Sequence, residues 1–134
     1  MRKLLSLLRN DRGAAAIEMA FAVPVLALFL WGIFQIGVMF QASAGMQHAL
    51  GEGARYATLW PSPSDTAIRD RISNTVFGVG VGEFSTPEVS TPDEDDCTHC
   101  RLLEVSFTMT PNFLLFEGPE FTITRSKRVY LAQN

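Results

Sequence analysis

The amino-acid sequence predicts an α+β protein, in which a long N-terminal transmembrane helix continues into a small outer domain with a short helix and an antiparallel sheet. Two observations carry this prediction. Residues 19–40 contain no charged side chain, and residues 103–109 alternate apolar and polar side chains, as half-buried strands do. We divide the 134 residues into a basic leader at 1–13, the long helix at 14–60 and the outer domain at 61–134.

Charge is unevenly distributed along the chain. Residues 1–13 carry 4 basic and 1 acidic side chains, and residues 14–134 carry 7 basic and 13 acidic ones. The positive-inside rule therefore places the N-terminus in the cytoplasm and the outer domain across the membrane. The acidic remainder has no stripe of Lys or Arg, which argues against nucleic-acid binding.

The uncharged run is long enough to cross a bilayer. Its 22 residues would span about 33 Å as a helix, against a hydrocarbon core of about 30 Å. Pro24 is expected to kink or locally open this helix. Gly32 and Gly37 thin it and let another helix approach, although their spacing is not that of a GxxxG motif.

A carboxylate stands at the entrance to the run. An ionised carboxylate costs about 2.5–3.5 kcal/mol at the centre of a membrane helix, so its presence calls for a use. Gly13 precedes Ala14, and Glu18 is the fifth residue of a chain that begins at Ala14.

Two ordinary interpretations of the apolar run remain open. One is a cleaved secretory signal peptide, with the small residues of Ala42-Ser43-Ala44 before Gly45, but the run is longer than a typical signal-peptide core. The other is an uncleaved signal anchor. Neither explains Glu18.

The helical pattern continues beyond the membrane run. Small and apolar residues recur at three- and four-residue spacing: Ala42, Met46, Ala49, Leu50, Gly53, Ala57 and Trp60. Pro61 and Pro63 follow, so a helix from about Ala14 to Leu59 is expected, roughly 70 Å long. Glu52 and Arg55 lie one turn apart and can form an ion pair.

These segments carry a family resemblance. Gly13, Ala14 and Glu18 resemble the processing site of type IV prepilin-like proteins. Residues 9–18, residues 32–37 and the stretch Glu52-Gly53-Ala54-Arg55-Tyr56-Ala57 resemble TadE-like proteins of the tight-adherence (Flp) pilus system. The chain departs from the pattern at Met19, where related pilins commonly carry an aromatic residue.

The resemblance implies a processing step and an assembly role. A prepilin peptidase would cut after Gly13 and expose the α-amine of Ala14, which is largely protonated because its reference pKa is about 8. Glu18 of one subunit would pair with that amine on a neighbour and set the axial register of the helices.

The same resemblance implies location and partners. The protein would be a single-pass component of the bacterial inner membrane, with a periplasmic domain that contacts other pilin-like proteins and the pilus assembly machinery. About 75 residues follow the long helix, which suggests a minor pseudopilin, since the small major subunits end soon after theirs. No enzymatic activity, cofactor or small-molecule substrate is implied.

The outer domain begins with a short helix. Ser64 is a good N-cap and Asp65 suits the first turn. Ile68, Ile72 and Val76 form an apolar stripe, while residues 69–71 are expected to face solvent. The glycines of residues 78–82 form a connector, since their spacing and context are not those of a phosphate-binding loop.

Strands are expected at 103–109 and from Phe121 onward, with a weaker candidate at 83–89. Arg125 and Lys127 interrupt the inward pattern of the strand that begins at Phe121, so a bulge or an edge is expected there. The loop between Pro111 and Pro119 carries four apolar residues, which either fold back on the core or contact a partner or the membrane surface: Phe113, Leu114, Leu115 and Phe116.

Cys97-Thr98-His99-Cys100 could carry chemistry. A structural disulfide is the ordinary fate of two thiols in an oxidising compartment. A redox centre would require a lowered thiol pKa, which the acidic residues 93–96 disfavour, and a zinc site lacks a second ligand pair. A signal-anchored periplasmic thiol-redox or metal-binding module is therefore the alternative function; no other catalytic constellation is evident.

Overall fold

A computed structural model describes residues 11–78, 80–92, 97, 99–113 and 116–132. Most of the leader, the acidic run 93–96, Leu114 and Leu115 lie outside the described residues. The elements are, in order, α1 (Asp11–Ala57), α2 (Asp65–Thr75), β1 (Glu83–Phe84), β2 (Glu88–Ser90), β3 (Cys100–Met109), β4 (Asn112–Phe113), β5 (Phe116–Glu117) and β6 (Phe121–Tyr130). The predicted α+β class is confirmed.

The long helix α1 is continuous over 47 residues. Pro24 lies inside this helix, where its missing N–H leaves one carbonyl without an intrahelical partner; the predicted kink or local opening stays a prediction. The amide of Thr58 donates to the carbonyl of Arg55 at 3.3 Å and closes the last turn. Trp60 was expected on the packed face; it lies beyond the helix end and is 63% exposed.

The chain forms two compact units, the first ending at Phe34 and the second spanning Gln35–Asn134. We call the second the outer unit. Its core joins one stripe of α1 to α2 and the sheet: Val38, Ala42, Met46, Ala49, Leu50, Ala54, Ala57, Ile68, Ile72, Val89, Leu103, Val105, Phe107, Met109 and Val129. The residues after the helix therefore share their core with it, as expected for a domain too small to bury enough surface alone.

The sheet is built around β3. The whole length of β3 pairs antiparallel with β6, while β1 and β2 pair antiparallel with its other edge. The buried side chains of β3 alternate from Leu103 to Met109, as the sequence predicts. The weaker candidate at 83–89 is instead two short strands separated by residues 85–87, because Pro87 cannot donate to a ladder.

The last strand contains no bulge. All ten residues of β6 pair in continuous register with β3, so the expected bulge at Arg125 is wrong and the expected edge is correct. An edge strand leaves its inner face partly open to water, and long basic side chains can extend along it. Arg125 does so by donating from Nε to Oγ of Ser43 on α1 at 3.1 Å.

The short helix α2 begins as predicted. Oγ of its N-cap Ser64 accepts a hydrogen bond from the amide of Ala67 at 3.2 Å, and Ile68 and Ile72 are buried. Two of its arginines do not simply face solvent. Arg69 donates from Nε to the carbonyl of Pro87 at 3.0 Å, and Arg71 reaches α1, because β2 and α1 both lie beside this helix.

The segment after β3 forms a small hairpin. Strands β4 and β5 pair antiparallel, and the amide of Gly118 donates to the carbonyl of Pro111 at 2.7 Å. The rings of Phe113 and Phe116 stack with their centroids 5.2 Å apart. Phe116 is 62% exposed, so it does not fold back on the core.

Candidate functional site

The first half of α1 presents an apolar surface that no described residue covers. We call residues 13–34 the exposed apolar segment. Apart from the half-buried Leu28, its large side chains are between 39% and 73% exposed: Ile17, Met19, Phe21, Val23, Val25, Leu26, Phe29, Leu30, Trp31, Ile33 and Phe34. α1 is long and apolar enough to cross a membrane by length and composition. Such a surface needs lipid or a protein partner around it.

The residues of the predicted processing site lie at the start of this segment. Gly13, Ala14 and Glu18 all belong to α1 and all are exposed. Among the residues whose placement is described, none forms a hydrogen bond or an ion pair with the carboxylate of Glu18. The side chain is therefore open to a partner outside this chain.

Two of the three helix-packing residues predicted in the membrane run, Pro24 and Gly37, are exposed. Gly32 is half-buried. A Cβ added to Gly37 would meet no atom within 4 Å, so the face around this glycine is open. The arrangement leaves room for the close approach of a second helix, which the sequence predicts.

The family motif lies where α1 packs closely against α2 and β3 of the outer unit. A Cβ added at Gly53 would overlap the side chain of Ile72 on α2 and lie 3.7 Å from Leu103 on β3. Ala54 is 7% exposed and Ala57 is fully buried. Small residues are required here because the second helix crosses α1 at close range.

The polar residues of the motif form ion pairs at the surface, beside the contact between α1 and α2. The carboxylate of Glu52 lies 4.0 Å from the guanidinium of Arg55 and 3.3 Å from that of Arg71. These three residues, with Tyr56 and Leu59, line a surface cavity of about 100 Å³. The contact with Arg71 joins α1 to α2, and sequence reasoning missed it.

Sequence reasoning also missed a buried polar contact near the middle of α1. Gln35 is 6% exposed, and its Nε2 donates to the carbonyl of Asn112 in the hairpin at 2.9 Å. The signal for this contact was present, since Gln35 is the most polar residue in the uncharged run and a buried amide needs a partner. The other amide atom, Oε1, has none among the described residues.

The cysteine pair is joined by a disulfide, with Cα atoms 5.5 Å apart. Cys100 is fully buried at the start of β3, while Cys97 is half-buried and His99 is exposed. Within the described part of the chain, no group of three His, Cys, Asp or Glu side chains could hold a metal ion. This geometry fits a structural cross-link at one end of the sheet.

A comparison with protein families gives a match to the N-terminal part of the chain. Residues 13–55 match a family model described as TadE-like protein, which confirms the resemblance predicted from the sequence. The match begins at Gly13 and ends at Arg55, so it covers α1 almost to its end. The matched range comprises 43 of the 134 residues. No curated protein and no solved structure gives a significant match to the chain.

Proposed function

We propose that this chain, whose residues 13–55 are TadE-like, is a membrane-anchored, pilin-like component of tight-adherence pilus assembly. One observation carries the proposal: the TadE-like match includes an apolar helical surface that the described part of the chain leaves uncovered. A structural component acts through such a surface, so the role assigned is assembly and not catalysis.

The proposal includes processing by a prepilin peptidase. The cut would follow Gly13 on the cytoplasmic side and would leave the apolar helix in the mature protein. Glycine suits a position that must fit a narrow peptidase site, because it has no side chain. The exposure of Gly13 and Ala14 supports access to this bond.

The mass of the mature chain tests the processing step. In cells that contain the tight-adherence machinery, we expect a species that begins at Ala14. A chain that begins at Gly45 would indicate a signal peptide, and an intact Met1 would indicate a plain anchor; either result contradicts the proposal.

A matched pair of variants makes this test specific. Gly13→Leu should leave the N-terminus intact, because a branched side chain then occupies the position before the cut. Ala16→Leu adds the same side chain three residues further on and should be processed normally. Equal processing of both variants would contradict a cut after Gly13.

Assembly would proceed by lateral packing of the exposed apolar segment against other pilin-like helices. Glu18 would pair with the α-amine of a neighbouring Ala14, which neutralises both charges and fixes the axial register. The low-dielectric surroundings make an unpaired carboxylate costly, so pairing there discriminates strongly between registers. Pro24, Gly32 and Gly37 would shape the helix surface on which the neighbour packs.

The outer unit would lie in the periplasm and contact further pilus components. Since it is much larger than the segment after the helix in a small major pilin, we propose a minor pseudopilin that initiates, supports or primes the fibre. The buried disulfide at Cys97 and Cys100 would stabilise this unit in an oxidising compartment.

A further inference from the structure

We propose that the β4–β5 hairpin is a second membrane contact, in which Phe113 and Phe116 enter the boundary between headgroups and acyl chains beside the anchor helix. The inference rests on the proposed membrane anchor. It selects the membrane surface among the alternatives that the sequence leaves open, which also include return to the core and contact with a protein partner.

The inference rests on the position of the hairpin along the axis of α1. The hydrogen bond from Gln35 to the carbonyl of Asn112 ties β4 to a residue inside the uncharged run. Gln35 precedes Phe40, the last residue of that run, by five positions, or about 7.5 Å along the helix. A bilayer that covers residues 19–40 therefore reaches the level of the hairpin.

The hairpin has the surface that this level requires. Phe116 is 62% exposed although its ring stacks on Phe113. On the same stretch of α1, Ile36 and Phe40 are 54% and 73% exposed. Apolar groups of the hairpin and of the helix thus stand open at one depth, and a lipid surface would cover both.

The described backbone of the hairpin is partly paired. Asn112 pairs with Glu117 and Phe113 with Phe116, and the amide of Gly118 donates to the carbonyl of Pro111. Each paired polar group lowers the cost of entering the interfacial region.

The charge of the hairpin distinguishes an apolar contact with lipid from an electrostatic one. Residues 111–121 contain two acidic side chains, Glu117 and Glu120, and no basic one. Attraction to anionic headgroups cannot drive the contact. The contact is apolar, and it should form on a zwitterionic bilayer.

Fluorescence quenching in reconstituted vesicles tests the proposal. The full chain is placed in phosphatidylcholine vesicles that contain a lipid with a nitroxide near the headgroup, and single cysteines carry an environment-sensitive dye. Cys97 and Cys100 stay oxidised, and the absence of labelling in the parent chain checks this. The reporter is Phe116→Cys, and Glu117→Cys is a second reporter that retains both aromatic rings.

Two control positions bracket the hairpin. Phe29→Cys reports on the anchor helix; because this position lies about 15 Å from either end of the uncharged run, its quenching is read with a second lipid that carries the nitroxide near the end of an acyl chain. Ser73→Cys is a nearly isosteric change at an exposed position. Ser73 follows Ile72, whose side chain contacts α1 at Gly53. Gly53 lies 18 positions after Gln35, or about 27 Å further along the helix. A label at Ser73 should therefore remain in water.

We expect the labels at positions 116 and 117 to be quenched at least about twofold more than the label at position 73, because interfacial groups lie within about 5–10 Å of the headgroup boundary. Quenching at 29 with values at 116 and 117 equal to that at 73 would overturn the inference and leave the anchor intact. No quenching at 29 would contradict the proposed anchor itself. Quenching at 116 and 117 only after addition of phosphatidylglycerol would also overturn the apolar contact.

Discussion

The two halves of α1 differ in what covers them. In the exposed apolar segment large side chains such as Phe21 and Phe29 are open. In the outer unit one stripe of the helix is buried, and it combines small residues such as Ala42 and Ala57 with larger ones such as Met46. The small residues let α2 and β3 approach α1 closely. One helix therefore serves two environments, and hydrophobicity alone does not distinguish them because both surfaces are apolar.

The largest effect is expected for aromatic truncation in the core that covers one half of α1. Phe107→Ala, at a fully buried position on β3 that packs against Phe84, should lower the unfolding free energy by about 3–5 kcal/mol. Phe29→Ala, at a position that is 65% exposed, should change it by no more than about 0.5 kcal/mol. Urea unfolding in detergent micelles measures both, and equal losses would contradict the contrast.

Glycine replacement separates the covered face from the open face. Gly53→Ala should lower the unfolding free energy by about 1–3 kcal/mol, because the new methyl group overlaps Ile72. Gly37→Ala meets no atom within 4 Å and should raise stability by up to about 1 kcal/mol through helix propensity. Thermal unfolding measures the change in stability of both variants. A change of the same sign in both would contradict the difference between the two faces.

The disulfide should contribute a smaller amount to the outer unit. The cysteines are three residues apart, and closure of so short a loop predicts a loss of about 2 kcal/mol when both are changed to serine. Reduced parent chain is the matched control. The double variant should still support piliation; loss of piliation at equal protein abundance would favour the thiol-redox or metal-binding alternative.

The smallest effect is expected for the ion pair between Glu52 and Arg71. These side chains are 28% and 52% exposed, so a double-mutant cycle with Glu52→Gln and Arg71→Gln should give a coupling of about 0.2–1 kcal/mol. The coupling should decline in concentrated salt, because mobile ions screen exposed charges. A coupling that salt leaves unchanged would show that the pair is more deeply buried than the structure indicates.

Local chemistry made much of the outer unit predictable. The N-cap at Ser64, the stripe of Ile68 and Ile72, and the alternation from Leu103 to Met109 all depend on neighbours within a few residues. The same is true of the membrane run, whose length and lack of charge are visible directly. The TadE-like match begins at Gly13, where the sequence placed the start of the motif.

Contacts between distant parts of the chain could not be predicted in this way. Arg71 was expected in solvent because nothing near it in sequence shows that Glu52 lies opposite. A bulge or an edge was expected at Arg125, and only the edge is present; the contact of Arg125 with Ser43 was missed because it joins residues 82 positions apart. Gln35 was recognised as polar, but its partner Asn112 is set by the path of the hairpin.

The role of Glu18 is the most direct test of the account, because this carboxylate has no partner among the described residues. Glu18→Ala should sharply reduce the pilus material sheared from cells, while the amount of the chain in the membrane fraction stays unchanged. Glu52→Ala removes a carboxylate from the other half of the same helix and should leave piliation largely intact. Normal piliation with Glu18→Ala at equal membrane abundance would contradict a register role for Glu18 in helix packing.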